Sequence, residues 1–174
     1  MRSGCVIAAL SLTLLWAGWS PTTASAQRRF AVQAAVGSGG TIGGGATEAV
    51  ASQRSPTFFD LGVSSWLVDD PVWWLGGSIR GELETVVSIG ATIRVGLAVD
   101  VAPVAIRPYL GAAVFFAPFE LVGPELGVDL TVTVVERFAV FMRLYADAFF
   151  AGSDVPQNAA VLMFNGALGV EYLF

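Results

Sequence analysis

Residues 87–101 read VSIGATIRVGLAVDV, and the odd and even positions of this stretch carry two different chemistries. Val87, Ile89, Ala91, Ile93, Val95, Leu97, Val99 and Val101 are all apolar, whereas Ser88, Gly90, Thr92, Arg94, Gly96, Ala98 and Asp100 are small, polar or charged. A period of two is the period of a β-strand, whose successive side chains point to opposite sides of the sheet. The stretch predicts a long strand with one greasy face and one face of small residues bearing isolated charges.

The same split recurs toward the end of the chain. Leu126, Val128, Leu130, Val132 and Val134 alternate with Gly127, Asp129, Thr131 and Thr133. Phe138, Val140, Met142, Leu144, Ala146, Ala148 and Phe150 oppose Arg143, Tyr145 and Asp147. Leu162, Phe164, Leu168, Val170, Tyr172 and Phe174 oppose Asn165, Gly169 and Glu171. Turn residues between such runs divide the chain into eight predicted strands, over 29–37, 57–67, 72–81, 86–101, 105–116, 125–134, 138–151 and 159–174.

Composition says what faces those strands. The chain has 174 residues, enough for one domain, and is 55% hydrophobic and 13% charged. A soluble domain is usually about 25% charged, so water cannot be the neighbour of the whole surface. At the front, Arg2 precedes the apolar run Val6–Trp16, and Ala24-Ser25-Ala26 follows. This is the pattern of a secretory signal peptide over residues 1–26, with the barrel domain expected over 27–174. The apolar run is too short for a spanning helix, which needs roughly 20 residues. Cys5, the only cysteine, precedes that run, so the exported part has neither a disulfide nor a thiolate metal site. Its net charge of −6, with no lysine and no histidine, argues against nucleic acid as a partner.

Two architectures suit eight exported antiparallel strands, and they demand opposite faces. A soluble lipocalin-like barrel buries its grease; a transmembrane barrel shows it to lipid. The face carrying Asp60, Arg80, Arg94, Asp129, Arg143 and Asp147 is otherwise mostly Gly, Ser, Thr and Ala, too sparsely charged for a solvated surface and well suited to a narrow lumen. The expected fold is all-β: an eight-stranded antiparallel up-and-down transmembrane β-barrel, closed because an open strand edge in hydrocarbon leaves backbone groups unpaired. Aromatic girdles are expected from Trp66, Trp73, Trp74, Tyr109, Phe138, Tyr172 and Phe174 at the inner rim, and from Phe58, Phe59, Phe115, Phe116, Phe149 and Phe150 at the outer one.

The C-terminal run GALGVEYLF resembles the insertion signal read by the bacterial barrel-assembly machinery, with Gly169, Tyr172 and Phe174 in the glycine and aromatic positions and Ala167 where a polar residue is usual. Arg107-Pro108-Tyr109-Leu110-Gly111-Ala112-Ala113 is similar to a strand of the small OmpA-like outer-membrane β-barrel proteins. The resemblance implies an exported barrel in the outer membrane of a Gram-negative cell, with outer-membrane lipid, lipopolysaccharide and the assembly machinery as partners and any surface partner unidentified. It also implies no cofactor. Enzymes of this fold rely on a histidine, which this chain lacks, so no catalytic or metal site is expected. No appended peptidoglycan-binding domain is expected either.

Hairpin symmetry predicts how the lumen charges meet. A turn near Asp70 sets Asp60 opposite Arg80, one near Glu136 sets Asp129 opposite Arg143, and the Ala102-Pro103 turn brings Asp100 near Arg107. Arg94, Tyr145, Asp147 and Glu171 are expected in the same lumen. Two roles are open: a structural plug with an envelope-integrity or surface-interaction role, or a narrow porin-like channel. The glycine-rich run from Gly37 to Gly45 is followed by no lysine and no helix, so it predicts a flexible loop within 37–56 rather than a phosphate cradle. Glu48, Glu82, Glu84, Glu120, Glu125 and Asp154 are expected at the outer rim.

Overall fold

Period-two sequence has become strand throughout the computed structural model, which describes residues 30–45, 51–67, 73–83, 87–118, 120–153, 155 and 159–174. In chain order the strands are β1 (Phe30–Gly45), β2 (Ala51–Trp66), β3 (Trp73–Glu82), β4 (Ser88–Leu97), β5 (Val99–Val101), β6 (Val104–Ala117), β7 (Leu121–Val135), β8 (Phe138–Phe149) and β9 (Ala159–Leu173). The expected signal peptide, the Asp69-Asp70-Pro71 turn, Glu48, Glu84 and Asp154 lie outside the described residues.

β4 and β5 make one stave, broken at Ala98, and both pair with β6. The ring therefore has eight staves, each antiparallel to its neighbours. It closes where β1 meets β9, from Ala31 opposite Leu173 to Gly45 opposite Ala159. Phe174 donates its backbone N–H to the Phe30 carbonyl at 2.9 Å, and their rings stand 5.8 Å apart on the outside. Closure leaves no strand edge to hydrocarbon.

The glycine-rich run is not a loop. β1 runs on to Gly45 and pairs with Ala51 to Ser55 of β2 as well as with β9. The flanking strands supply hydrogen-bond partners on both sides, which outweighs glycine's low strand propensity. Gly37 sits at a bulge in the β1–β2 ladder, where a methyl group would collide with the Phe58 ring. β7 likewise begins four residues earlier than expected, at Leu121.

The apolar face is outside. Leu61, Ile79, Leu126 and Leu168 are each more than 60% exposed, and the belt they belong to encircles the ring. Among residues whose side chains are described, every charged group is either in the lumen or, as with Asp100, Glu120, Glu136 and Arg137, at the turns and strand ends. A belt that apolar and continuous is disfavoured in water and satisfied in hydrocarbon.

The aromatics correct the expected girdles. Phe58, Trp74, Tyr109, Phe115 and Phe149 are buried in the lumen, and Trp66 packs against the same interior. Phe59, Trp73, Phe116, Phe138, Phe150, Tyr172 and Phe174 do face outward. The reason is alternation: in Phe58-Phe59, Trp73-Trp74, Phe115-Phe116 and Phe149-Phe150, adjacent rings on a strand must point to opposite sides.

Candidate functional site: the charged lumen

Each strand delivers polar side chains inward at every second position, and eight staves leave an interior narrow enough for those from opposite walls to touch. Toward the end bearing the β5–β6 and β7–β8 turns, Arg143 holds Asp129 in a two-point fork, Nε to Oδ1 and Nη2 to Oδ2, both at 2.7 Å. Arg143 Nη2 also donates to Gln33 at 3.1 Å, and Gln33 Nε2 donates to Glu171 at 2.6 Å. Arg107 completes this lower chain with 2.8 and 3.1 Å bonds to Glu171, its guanidinium 5.2 Å from the Trp66 ring.

A second network lies above it. Arg94 binds Glu125 through Nε, Asp60 at 3.3 Å and Ser78 at 3.1 Å. Ser78 in turn meets Thr92 at 2.8 Å. Arg80 reaches Glu125 and Asp147 at 3.4 Å each and Asp60 at 3.8 Å. Asn165 donates to Asp147 at 3.4 Å. Arg143 Nη1 lies 3.8 Å from Asp60 and joins the two networks.

Among the described residues, each lumen arginine also lies on an aromatic face. Arg80 sits between Phe58 and Tyr145 at 4.9 and 4.8 Å, Arg94 lies 5.5 Å from Tyr109, and Arg143 lies 5.1 Å from Phe141. A planar guanidinium stacks and forks at once, which an ammonium cannot do, and the chain contains arginine but no lysine. Gly169 has a local role here: a methyl group on it would strike the Phe141 ring.

Of the sequence-predicted residues, Asp60 stands in register with Arg80, and Asp129 with Arg143. Arg94, Tyr145, Asp147 and Glu171 are all buried in the lumen. Asp100 is not with Arg107: the tight turn pairs it with Ala105 at an exposed position past the end of the barrel. Arg107 pairs with Glu171 across the interior instead.

Glu125 is the larger correction, being fully buried at the centre of the upper network rather than on the rim. Glu82 is buried too, accepting a hydrogen bond from Ser88. Gln33 and Ser78 were likewise missed. Extending the period-two pattern back from Asp129 through Gly127 points to Glu125 and was the available signal. Among the described residues, no group of three or more His, Cys, Asp or Glu is arranged to hold a metal ion.

Closed ring, charged interior and apolar belt define a small eight-stranded transmembrane β-barrel. No protein-family model matches the sequence, and no curated protein matches it. Solved structures match the fold. The attachment invasion locus protein Ail of Yersinia pestis is 13% identical with a TM-score of 0.52, over 85% of this chain and 99% of that one. The N-terminal β-barrel domain of Pseudomonas aeruginosa OprF is 16% identical with a TM-score of 0.52, over 85% of this chain and all of that one. The likeness is one of fold: the chain shares the closed, antiparallel β-barrel architecture of these two structures.

Proposed function

We propose that the protein serves the outer membrane as a structural, envelope-integrity or surface-interaction barrel whose lumen is plugged by its own charges. The observation that carries this reading is the continuity of the two ion-pair networks. Asp60, Arg80, Arg94, Glu125, Asp129, Arg143 and Asp147 are each at most 3% exposed and span the interior from wall to wall. Ions packed that closely neutralise one another where water cannot, and leave no continuous aqueous path. The apolar belt fits outer-membrane lipid and lipopolysaccharide as surroundings. The reading extends to residues 1–26 as a cleaved export signal, and to Gly169, Tyr172 and Phe174 as the signal for the barrel-assembly machinery.

A second reading, a narrow porin-like channel, is favoured by one observation. The Tyr109 and Tyr145 hydroxyls and Oδ1 of Asp147 are buried without a hydrogen-bond partner among the described residues, as in a lumen able to rearrange. Single-barrel recordings in planar bilayers separate the two. The plug reading expects no conductance steps from the native protein; steady conductance by the native barrel would establish the channel instead.

A further inference from the structure

Beyond the upper network the lumen changes character. Ala113 and Phe115 of β6 and Phe149 of β8 form a separate buried apolar cluster, with Leu121, Val161 and Met163 packed against it. The Phe115 and Phe149 rings meet edge to face, 5.6 Å apart and 70° between planes. Along β8, Phe149 is the next inward position past Asp147; along β6, Phe115 is the next past Ala113. The pair thus stands between the charges and the end opposite the β5–β6 and β7–β8 turns. Arg80 lies 6.0 Å from the Phe115 ring, so the apolar layer rests directly on the charged one.

We infer that Phe115 and Phe149 form a dry seal that closes this end of the lumen against water and solutes independently of the ion pairs beneath. The inference rests on the plugged-lumen reading and deepens it. The physical basis is dewetting. An ion or hydrated solute entering from this end would meet aromatic edges and aliphatic side chains that replace none of its hydration, whereas the charged layer below would. Breaking an ion pair alone then leaves the mouth shut. A rival route runs along the β3–β4 wall, where Glu82 and Ser88 place a polar pair toward the same end.

The chain from Gln27 onward has no cysteine, so one introduced thiol reports on water access. Ala113→Cys places that thiol just beneath the two rings. The probe is a small cationic methanethiosulfonate added to the folded, detergent-solubilised barrel. Labelling is followed by mass, with Ser153→Cys as the exposed control and gel migration without boiling as the check on folding. A113C should react at least about tenfold more slowly than S153C, and adding Phe149→Ala should remove most of that protection while adding Asp129→Ala leaves it in place. If the double variant with Phe149→Ala does not fold, Phe149→Val and Phe115→Leu open the layer by smaller steps. Rapid labelling of A113C with both rings intact would overturn the plugged lumen itself at this end. Protection that survives every ring substitution, or that yields to Glu82→Ala instead, would keep the plug and overturn the aromatic seal.

Discussion

Arg80 illustrates what the lumen asks of a single residue. Its guanidinium lies between the rings of Phe58 and Tyr145 and within 3.8 Å of carboxylate oxygens of Asp60, Glu125 and Asp147. Lysine would keep the charge and lose both the stacking and the fork. Arg80→Lys is expected to destabilise the folded barrel by about 1–3 kcal/mol, read from the urea midpoint of refolding into detergent. Asp129 and Arg143 form the best-aligned pair, at 2.7 Å twice. Removing either partner strands a buried charge, so Asp129→Ala and Arg143→Ala should each cost about 3–5 kcal/mol. Replacing both together should cost clearly less than the sum, because neither charge is then left alone. Additive losses in that double-mutant cycle would mean that the two residues do not depend on each other.

At the scale of the strand, the decisive property is which side each residue takes. Ile79 is 63% exposed in the middle of β3, on the outward side. Ile79→Arg should therefore destabilise by about 2–4 kcal/mol, as charges do at mid-bilayer on a barrel's lipid face. Glu136→Arg, in the β7–β8 turn, should be nearly neutral in the same refolding assay. β9 makes a further prediction. Phe174 closes the ring against Phe30, and Tyr172 meets Phe174 edge to face, with ring centres 4.9 Å apart. Deleting Phe174 should lower the amount of barrel assembled in cells more than it lowers refolding yield from urea; equal losses would assign the residue to closure alone.

This scale was the most legible in the sequence. Alternation fixed inward Arg94 and Asp147 and outward Ile89 and Leu144 without any structure. It failed where the pattern has no contrast. Phe58-Phe59 and Phe115-Phe116 offer two apolar residues in a row, so only the strand's phase decides which ring turns inward. The glycines of β1 have no side chains with which to announce a strand.

At the scale of the molecule, neighbours along the sheet could be read from turns, whereas neighbours across the lumen could not. Hairpin symmetry sets Asp60 beside Arg80 because one turn joins their strands. Glu125 on β7 meets Arg94 on β4 and Arg80 on β3, contacts fixed by strand tilt and stagger around the closed ring, which no local pattern encodes. Asp100 shows the converse limit: a turn places it by register, but it lies too near the barrel's end to have an interior to enter.

The claim on which the rest depends is a closed barrel, greasy outside and charged within, lodged in the outer membrane. The direct test expresses the full-length chain in a Gram-negative host, isolates the outer membranes and compares boiled with unboiled samples by gel electrophoresis. A compact, fast-migrating band in the outer-membrane fraction that shifts only on boiling is the predicted result. Recovery of the protein from the soluble periplasmic fraction, with no shift on boiling, would contradict it.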